Sequence, residues 1–347
     1  GKYYDDFIVR KGDVLIGMDG DFKAAIWKGE DALLNQRVCR IVPNNKAFDA
    51  KFLFLCLQPY LNAINEETSS VTVKHLSSRT IEEIPLPFPP LPEQQAIVAK
   101  IEELLSELEN GKQQLQTARQ QLKVYRQSLL KWAFEGKLTN KIVKEGELPK
   151  GWKVSSIGEI FEVFIGSTPK RNISEYWGGN VNWLSSGEIA FCNITKTREK
   201  ITEEGLKNSA CKVHPKRTVI IAMIGEGKTR GQAAILKIPS AHNQNTAAIR
   251  VDEKVYSSML LYYYLVLKYE ENRRVGSGNN QKALNKERVK SIQIPLPPLS
   301  EQQQIVSELE SKLTVCDKIE ETISQSLLQA ETLRQSILKK AFEGKLV

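Results

Sequence analysis

The chain is 347 residues long, 41% hydrophobic and 26% charged, with 49 Lys and Arg against 41 Asp and Glu and a formal charge of +8. That composition excludes a disordered or fibrous polypeptide and leaves room for two or three domains. The positive balance favours an acidic partner such as nucleic acid without demanding one. The five cysteines, Cys39, Cys56, Cys192, Cys211 and Cys316, are odd in number and none has CxxC spacing. A disulfide framework or zinc site is therefore not expected, and a reducing compartment fits best. No signal peptide opens the chain, and its most apolar run, Met259 to Leu267, is too short to span a bilayer. The expectation is a soluble, cytoplasmic protein with no membrane partner.

In chain order, residues 1–88 form a first module with short apolar runs such as Val14-Leu15-Ile16. A Pro-rich stretch follows and opens a long helix pattern over residues 89–139. Its seam runs Ile97, Ile101, Leu104, Leu108, Gly111, Leu115, Ala118, Leu122, Tyr125, Leu129, Trp132. This 4-3 alternation is the period of a coiled coil, and a helix from about Glu93 to Glu135 would be roughly 60 Å long. Residues 140–294 form a second module of short apolar runs, Ile157–Ile165, Val219–Ile224, Ala233–Ile238 and Ala247–Val251, separated by Gly and Asn clusters. These predict strands and hairpins, with one aromatic helix over Ser257–Tyr269. Residues 295–347 repeat the helix pattern through Ile305, Leu309, Lys312, Cys316, Ile319, Ile323, Ser326, Ala330, Leu333 and Ile337. Pro295, Pro297 and Pro298 stand before it, Ser300 with Gln303 predicts a capping box, and Gly136 and Gly344 predict the two helix ends.

The order is thus module, helix, module, helix, and it is a repeat. Residues 81–139 align with 289–347 at a constant offset without a gap, and about 24 of the 59 positions are identical. Asn35-Gln36 aligns with Asn243-Gln244, and Lys74 and Leu76 with Lys282 and Leu284, at the same offset. The chain begins at Gly1 inside the repeat, so the first module lacks a counterpart to residues 140–205. An apolar seam this long cannot stay in water, and the matching helix is its cheapest partner. Paired antiparallel, the two would hold the modules apart as a ruler. A coiled coil that only dimerises the protein is the plainer alternative.

The loops of both modules carry groups suited to nucleic acid: Thr168, Lys170 and Arg171; Lys228, Thr229 and Arg230; Asn243, Gln244 and Asn245; Asn279, Asn280, Gln281 and Lys282; and, in the first module, Lys23, Asn35, Gln36 and Lys74. Lys and Arg can neutralise phosphate, while Asn, Gln and Arg can read base edges. The same residue types are also ordinary turn and surface residues. The stretch from Ala222 through Gly225, Gly227, Lys228 and Thr229 matches a relaxed nucleotide-binding loop. That loop must open onto a helix N-terminus, whereas residues 230–239 predict a second strand closed by Pro239. The three histidines, His75, His214 and His242, have no metal-ligand spacing. No catalytic constellation emerges.

Several runs together resemble the specificity subunit of Type I restriction-modification enzymes. Pro-Leu-Pro-Pro-Leu-Ser-Glu-Gln-Gln (295–303) is similar to the start of that family's repeated spacer helix. Arg-Gln-Ser through Ala-Phe-Glu-Gly-Lys-Leu is similar to its end. Leu-Pro-Lys-Gly-Trp (148–152), Gly166-Ser167-Thr168-Pro169 and Tyr176-Trp177-Gly178-Gly179 are similar to the opening of its target recognition domain. The residue pattern predicts an α+β fold with two β-rich modules. The resemblance implies that these are target recognition domains separated by two long antiparallel coiled-coil helices, the first domain departing from the family in being shortened at its N-terminus. It implies that each domain reads half of a bipartite site in double-stranded DNA and that the helices set the gap. It further implies two methyltransferase (modification) subunits and restriction/translocase subunits as partners. S-adenosylmethionine and ATP would be used in those partners, with no cofactor, metal or catalysis in this chain. The alternatives are a scaffold whose modules bind protein or carbohydrate, and an enzyme built on the Lys228-Thr229 loop.

Overall fold

The computed structural model describes residues 4–43, 46–68, 74–140, 143–144, 146–225, 227–274 and 284–346. In chain order the elements are β1 (Ile8–Val9), β2 (Val14–Gly17), β3 (Ala24–Ile26), β4 (Ala32–Leu33), β5 (Val38–Ile41), α1 (Ala50–Glu67), α2 (Ser78–Glu82) and α3 (Leu91–Phe134). There follow β6 (Lys153–Ser156), α4 (Ile157–Ile160), β7 (Glu162–Ile165), β8 (Trp177–Leu184), β9 (Cys192–Ile194), β10 (Glu199–Ile201), α5 (Glu203–Lys207), β11 (Val219–Ala222) and β12 (Ala233–Leu236). The last are β13 (Ala241–His242), β14 (Thr246–Arg250), α6 (Ser258–Leu267), α7 (Tyr269–Arg274), α8 (Lys286–Ser291), β15 (Gln293–Leu296) and α9 (Leu299–Phe342). The chain divides into two compact units, residues 1–119 with 321–347, and residues 120–320. Each long helix gives one end to each unit.

In the first unit, β2 lies between β3 and β5 in an antiparallel sheet, with Val14 opposite both Ile26 and Ile41. Helix α1 starts where the Asp49 side chain accepts the Lys51 and Phe52 amides, which satisfies orphan donors of its first turn. Leu53, Leu57 and Leu61 pack on Val14 and Ile16 of the sheet. The next face of α1, Phe52 and Cys56, joins Ile97, Val98 and Ile101 of α3 and Ala341 of α9. Here the start of α3 meets the end of α9.

In the second unit the main sheet runs β7-β14-β11-β12-β9, antiparallel except that β9 lies parallel to β12. Both faces of the sheet are covered. Val219, Ile221 and Met223 point into one core and Ile220 and Ala222 into another, the two-residue alternation of a strand. A second sheet, β10-β8-β13, and a ladder of β6 with β15 flank it. The predicted aromatic helix forms as α6 and is buried, with Leu260, Leu261 and Leu265 in the core shared by the end of α3 and the start of α9. Arg126 of α3 pairs with Asp317 of α9 at 2.7 Å. The end of one long helix therefore meets the start of the other in this unit also, so the pairing is antiparallel in both units.

The heptad pattern survives with a correction. On α9 the buried positions Leu309, Cys316, Ile323, Ala330 and Ile337 recur every seven residues. The alternate seam position is buried near the helix starts, at Ile97 on α3 and Ile305 on α9, but Ile319 and Leu333 on α9 and Tyr125 and Trp132 on α3 turn out to solvent, with Trp132 39% and Leu333 51% exposed. A pair of helices covers only a narrow stripe, so beyond the helix starts, where the modules add cover, one heptad position closes and the other opens at these four residues. Toward its end α3 buries Leu130, Ala133 and Phe134 against the second module instead, with the Phe134 ring edge-on to Tyr264 at 4.9 Å.

Two local expectations are also corrected. Ile157–Ile165 is not one strand: Ile157–Ile160 is a helical turn, opened by the Ser156 N–H donating to Glu159 at 2.8 Å. Helix α9 starts at Leu299, so Ser300 lies inside its first turn rather than capping it, and the buried polar residue there is Gln302. The predicted helix ends hold. Gly136 and Gly344 have φ of +74° and +68°, and the next amides reach back to Trp132 and Lys340, each at 2.9 Å. Leu129→Ala, which hollows the core at a buried position of α3, is expected to lower unfolding free energy by about 2–5 kcal/mol. Leu328→Ala, at an exposed position, should change it by less than about 0.5 kcal/mol. Urea denaturation of both variants checks the difference.

Candidate nucleic-acid interface

Strand directions place three candidate loops at one end of the main sheet of the second unit. Ile165 ends β7 opposite Ala247, Ala222 ends β11 opposite Thr246, and Ala233 opens β12 opposite Ile221. The loops 166–171, 223–232 and 243–245 therefore leave from the same edge. They are also bonded to one another. Ser167 N–H donates to the His242 carbonyl at 2.8 Å, and the Thr168 hydroxyl donates to the Gln244 side-chain oxygen. Met223 N–H donates to the Asn245 carbonyl at 2.8 Å. Gly166 makes the close approach feasible: a Cβ there would stand 2.2 Å from the carbonyl oxygens of both His242 and Asn243.

Within this cluster the predicted residues take different roles. Gln244 and Lys228 are exposed, and Asn245, Thr168 and Thr229 are half-buried. Lys228 is held through its carbonyl, which accepts from the Tyr269 hydroxyl at 2.6 Å, and among the described residues no hydrogen bond or ion pair takes up its ammonium. Asn243 is buried, and its side chain accepts from the Asn245 amide at 3.2 Å, so it builds the loop rather than facing out of it. Arg230 is half-buried. Arg171 is drawn to the smaller sheet: it forms a forked pair with Glu199 and stacks on Trp177 at 3.8 Å and on Trp183 at 5.0 Å. Its pairing with Glu199, chiefly by hydrogen bond, holds that carboxylate below its ordinary pKa. Lys170 is exposed on the same turn, fixed by Trp177 donating to its carbonyl. Asn279, Asn280, Gln281 and Lys282 lie outside the described residues.

The first unit repeats the design on a smaller scale. Gly17 ends β2 opposite Val38, and Ala24 opens β3 opposite Ile16, so the loops holding Lys23, Asn35 and Gln36 leave from one end of the sheet. All three residues are exposed; Lys23 pairs with Asp21 at 3.0 Å, and Asn35 accepts from the Arg37 amide at 2.9 Å. Lys74 is spent internally, its ammonium donating to both the carbonyl and side-chain oxygens of Asn65. The sequence reading passed over Arg37, an exposed cation beside Asn35-Gln36 that also pairs with Asp19 at 3.0 Å. Its place next to an amide pair was the available signal. Asp19, bonded first by His75 and then by Arg37, sits below the usual carboxylate range.

The Lys228-Thr229 loop joins two antiparallel strands, Ile221 opposite Ala233, so no helix N-terminus opens from it. Among the described residues, no group of three or more His, Cys, Asp and Glu side chains could hold a metal ion. Beneath the loops lie two buried histidines, His214 and His242, with ring centroids 4.9 Å apart. Thr246 gives its hydroxyl proton to the Asn243 carbonyl, so His242 Nδ1 donates to Thr246 at 2.7 Å, while Arg250 donates to His214 Nδ1 at 3.1 Å. Burial above all pushes the pKa of His214 down to about 3, helped by His242, Arg250 and Lys212, and burial pushes that of His242 down to about 4.

Comparison with known proteins follows the same two-fold pattern. A family model described as the Type I restriction modification DNA specificity domain matches residues 2–117 and again 149–329. The EcoBI specificity subunit of Escherichia coli, a Type I restriction enzyme component, is 33% identical over 370 residues, spanning 100% of this chain and 76% of that protein. The MjaVIII specificity subunit of Methanocaldococcus jannaschii is 24% identical over 352 residues, spanning 98% of this chain and 80% of that protein. Among solved structures, the HsdS subunit from Thermoanaerobacter tengcongensis superposes with a TM-score of 0.68 at 21% identity, covering 97% of this chain and 82% of that one. A chain from a study of complex assembly and conformational transition of the type I R-M system superposes at 0.78, also at 21% identity, covering 97% and 83%. These two likenesses are of fold.

Two outcomes follow from the loop floor. Gly166→Ala should cost at least about 2 kcal/mol, since the new methyl meets backbone oxygens, and a thermal melt reads it. Both histidines have folded pKa values below the unfolded value of 6.5, so their contribution is complete above pH 6.5. It is lost as pH falls from there toward 4, by up to about 1.4 kcal/mol per pH unit for each histidine. A His214→Gln, His242→Gln double variant should show a flatter melting temperature against pH than the parent in that window.

Proposed function

The chain belongs to the Type I restriction-modification DNA specificity family, and from that membership we propose that it reads a bipartite DNA site, one half with each module. The observation that carries the reading is the gathering of three polar loops at one end of the second module's sheet, echoed by the loops of the first. Lys228 there supplies phosphate contact, and Gln244 and Asn245 supply amide edges suited to adenine. Lys23, Asn35, Gln36 and Arg37 do the same from the first module. Arg171, Asn243 and Lys74 hold the loops in shape.

The paired helices act as spacer. Their open heptad positions, Tyr125, Trp132 and Ile319 in the second unit and Leu333 in the first, are apolar and exposed. In each unit a helix from one methyltransferase subunit would cover that unit's open positions. On this reading the methyl donor S-adenosylmethionine and the ATP used by restriction/translocase subunits belong to those partners, and this chain contributes recognition and spacing alone. The work is cytoplasmic, a setting in which five free cysteines are unremarkable.

Binding of the parent chain to duplex DNA across a salt series tests this. Lys228→Ala should weaken binding to all sequences alike and lower the salt slope by about one. Gln244→Ala should relax preference at one base pair, at a cost of about 1–3 kcal/mol. Inserting one heptad into both α3 and α9 lengthens the spacer by about 10 Å, so the preferred gap should grow by about three base pairs. An unchanged gap would sink the ruler.

A further inference from the structure

The Pro-Leu-Ser-Glu-Gln run and its earlier copy hold a joint that the recognition loops do not explain. Gln94 is 0% and Gln302 is 1% exposed. Gln94 accepts from the Asp49 amide at 2.9 Å and donates to the carbonyls of Ala47 and Pro89 at 2.9 and 2.8 Å. Gln302 accepts from the Ser257 amide at 2.7 Å and donates to the carbonyls of Val255 and Pro297 at 3.1 and 2.9 Å. The partners correspond one to one at the offset of the repeat. Asp49 and Ser257 are the N-caps of α1 and α6, so each amide clips a module's principal helix to the first turn of its spacer helix.

Only a primary amide fits this seat. It offers two donors and an acceptor, and the site uses all three. Glutamate would set an acceptor against two carbonyls, and leucine would fill the volume while leaving three backbone groups unpaired. In the second unit the preceding residue adds a second clip. Glu301 accepts from Thr139 at 2.7 Å, Asn140 at 2.6 Å and the Trp152 indole at 2.9 Å. It thereby ties the segment after α3 and the start of the second module to the same helical turn.

The lever arm makes angle matter. Each spacer helix has 44 residues, about 66 Å. A tilt of about 5° in its first turn moves its far end by about 6 Å, close to two base pairs of DNA. We propose that Gln94 and Gln302 are positioning residues that hold each module at one angle to its spacer helix and so confine the protein to one gap between half-sites. This rests on the bipartite reading above.

The test selects binders from a random-sequence duplex library with the full-length parent chain and with Gln302→Leu, well below either melting temperature. In parallel it measures hydrogen exchange at the Ser257 amide. The parent should return two half-sites at one gap. Gln302→Leu should return the same half-sites with preference for that gap cut about tenfold, and its Ser257 amide should exchange at least about tenfold faster. A variant that melts earlier yet keeps the parental gap as sharply would show a merely structural glutamine and overturn the proposal. If Gln302→Leu does not fold, Gln94→Leu carries the same comparison from the other module, read at the Asp49 amide. A parent that selects half-sites at no fixed gap defeats the bipartite reading instead. The clip is then judged on exchange alone, and an unaltered Ser257 rate overturns it.

Discussion

A helix of 44 residues with an apolar residue every seven cannot stand alone in water, and burying that one position governs the rest of the molecule. Leu309, Cys316, Ile323, Ala330 and Ile337 are its trace on α9. In each compact unit the burial is achieved by setting the start of one long helix against the end of the other. The modules attach where the helices begin, through α1 in one unit and α6 in the other, so a single apolar stripe organises both halves of the repeat. Beyond the helix starts the two helices leave apolar residues of the other heptad position exposed in each unit, Trp132 in the second and Leu333 in the first. The physics that pairs the helices also leaves apolar side chains uncovered on them.

Within the modules a different competition operates. Polar loops gather at one end of a sheet because antiparallel strands return there, and their own polar groups are the first available partners for one another. A cation next to a carboxylate and two indoles, as Arg171 is, becomes part of the wall. Lys74 is likewise absorbed by Asn65. A cation held by its backbone carbonyl, as Lys228 is, keeps its side chain exposed. The polar groups left facing outward are those that remain after the loops have satisfied themselves, and they are fewer than the inventory of polar residues suggests.

Much of the architecture was legible in the chain itself. The repeat, the proline-marked helix starts, the glycines at +74° and +68°, and the hairpin that rules a phosphate loop out at Lys228 all rest on local chemistry: a missing N–H, a left-handed residue, a two-residue alternation. Other features were not legible. Tyr125 and Trp132 keep the seam's period yet face solvent, because periodicity states which residues share a stripe and not how wide a stripe the neighbour covers. Ser300 has the composition of a cap, but the helix starts one residue before it. Arg171 and Arg37 are alike in sequence as basic loop residues, and only their neighbours separate them.

By itself, then, the amino-acid order determined most of the elements and their duplication, since these depend on groups within a turn or two along the chain or on direct comparison of its two halves, and its motifs carried the resemblance to the family. The tertiary structure alone decided which side of each long helix is covered, which polar side chains are consumed in building the loops, and that two glutamines far apart in sequence make the same three bonds. Those outcomes depend on atoms brought together from distant segments, where burial and hydrogen-bond satisfaction are settled between neighbours that no local pattern records.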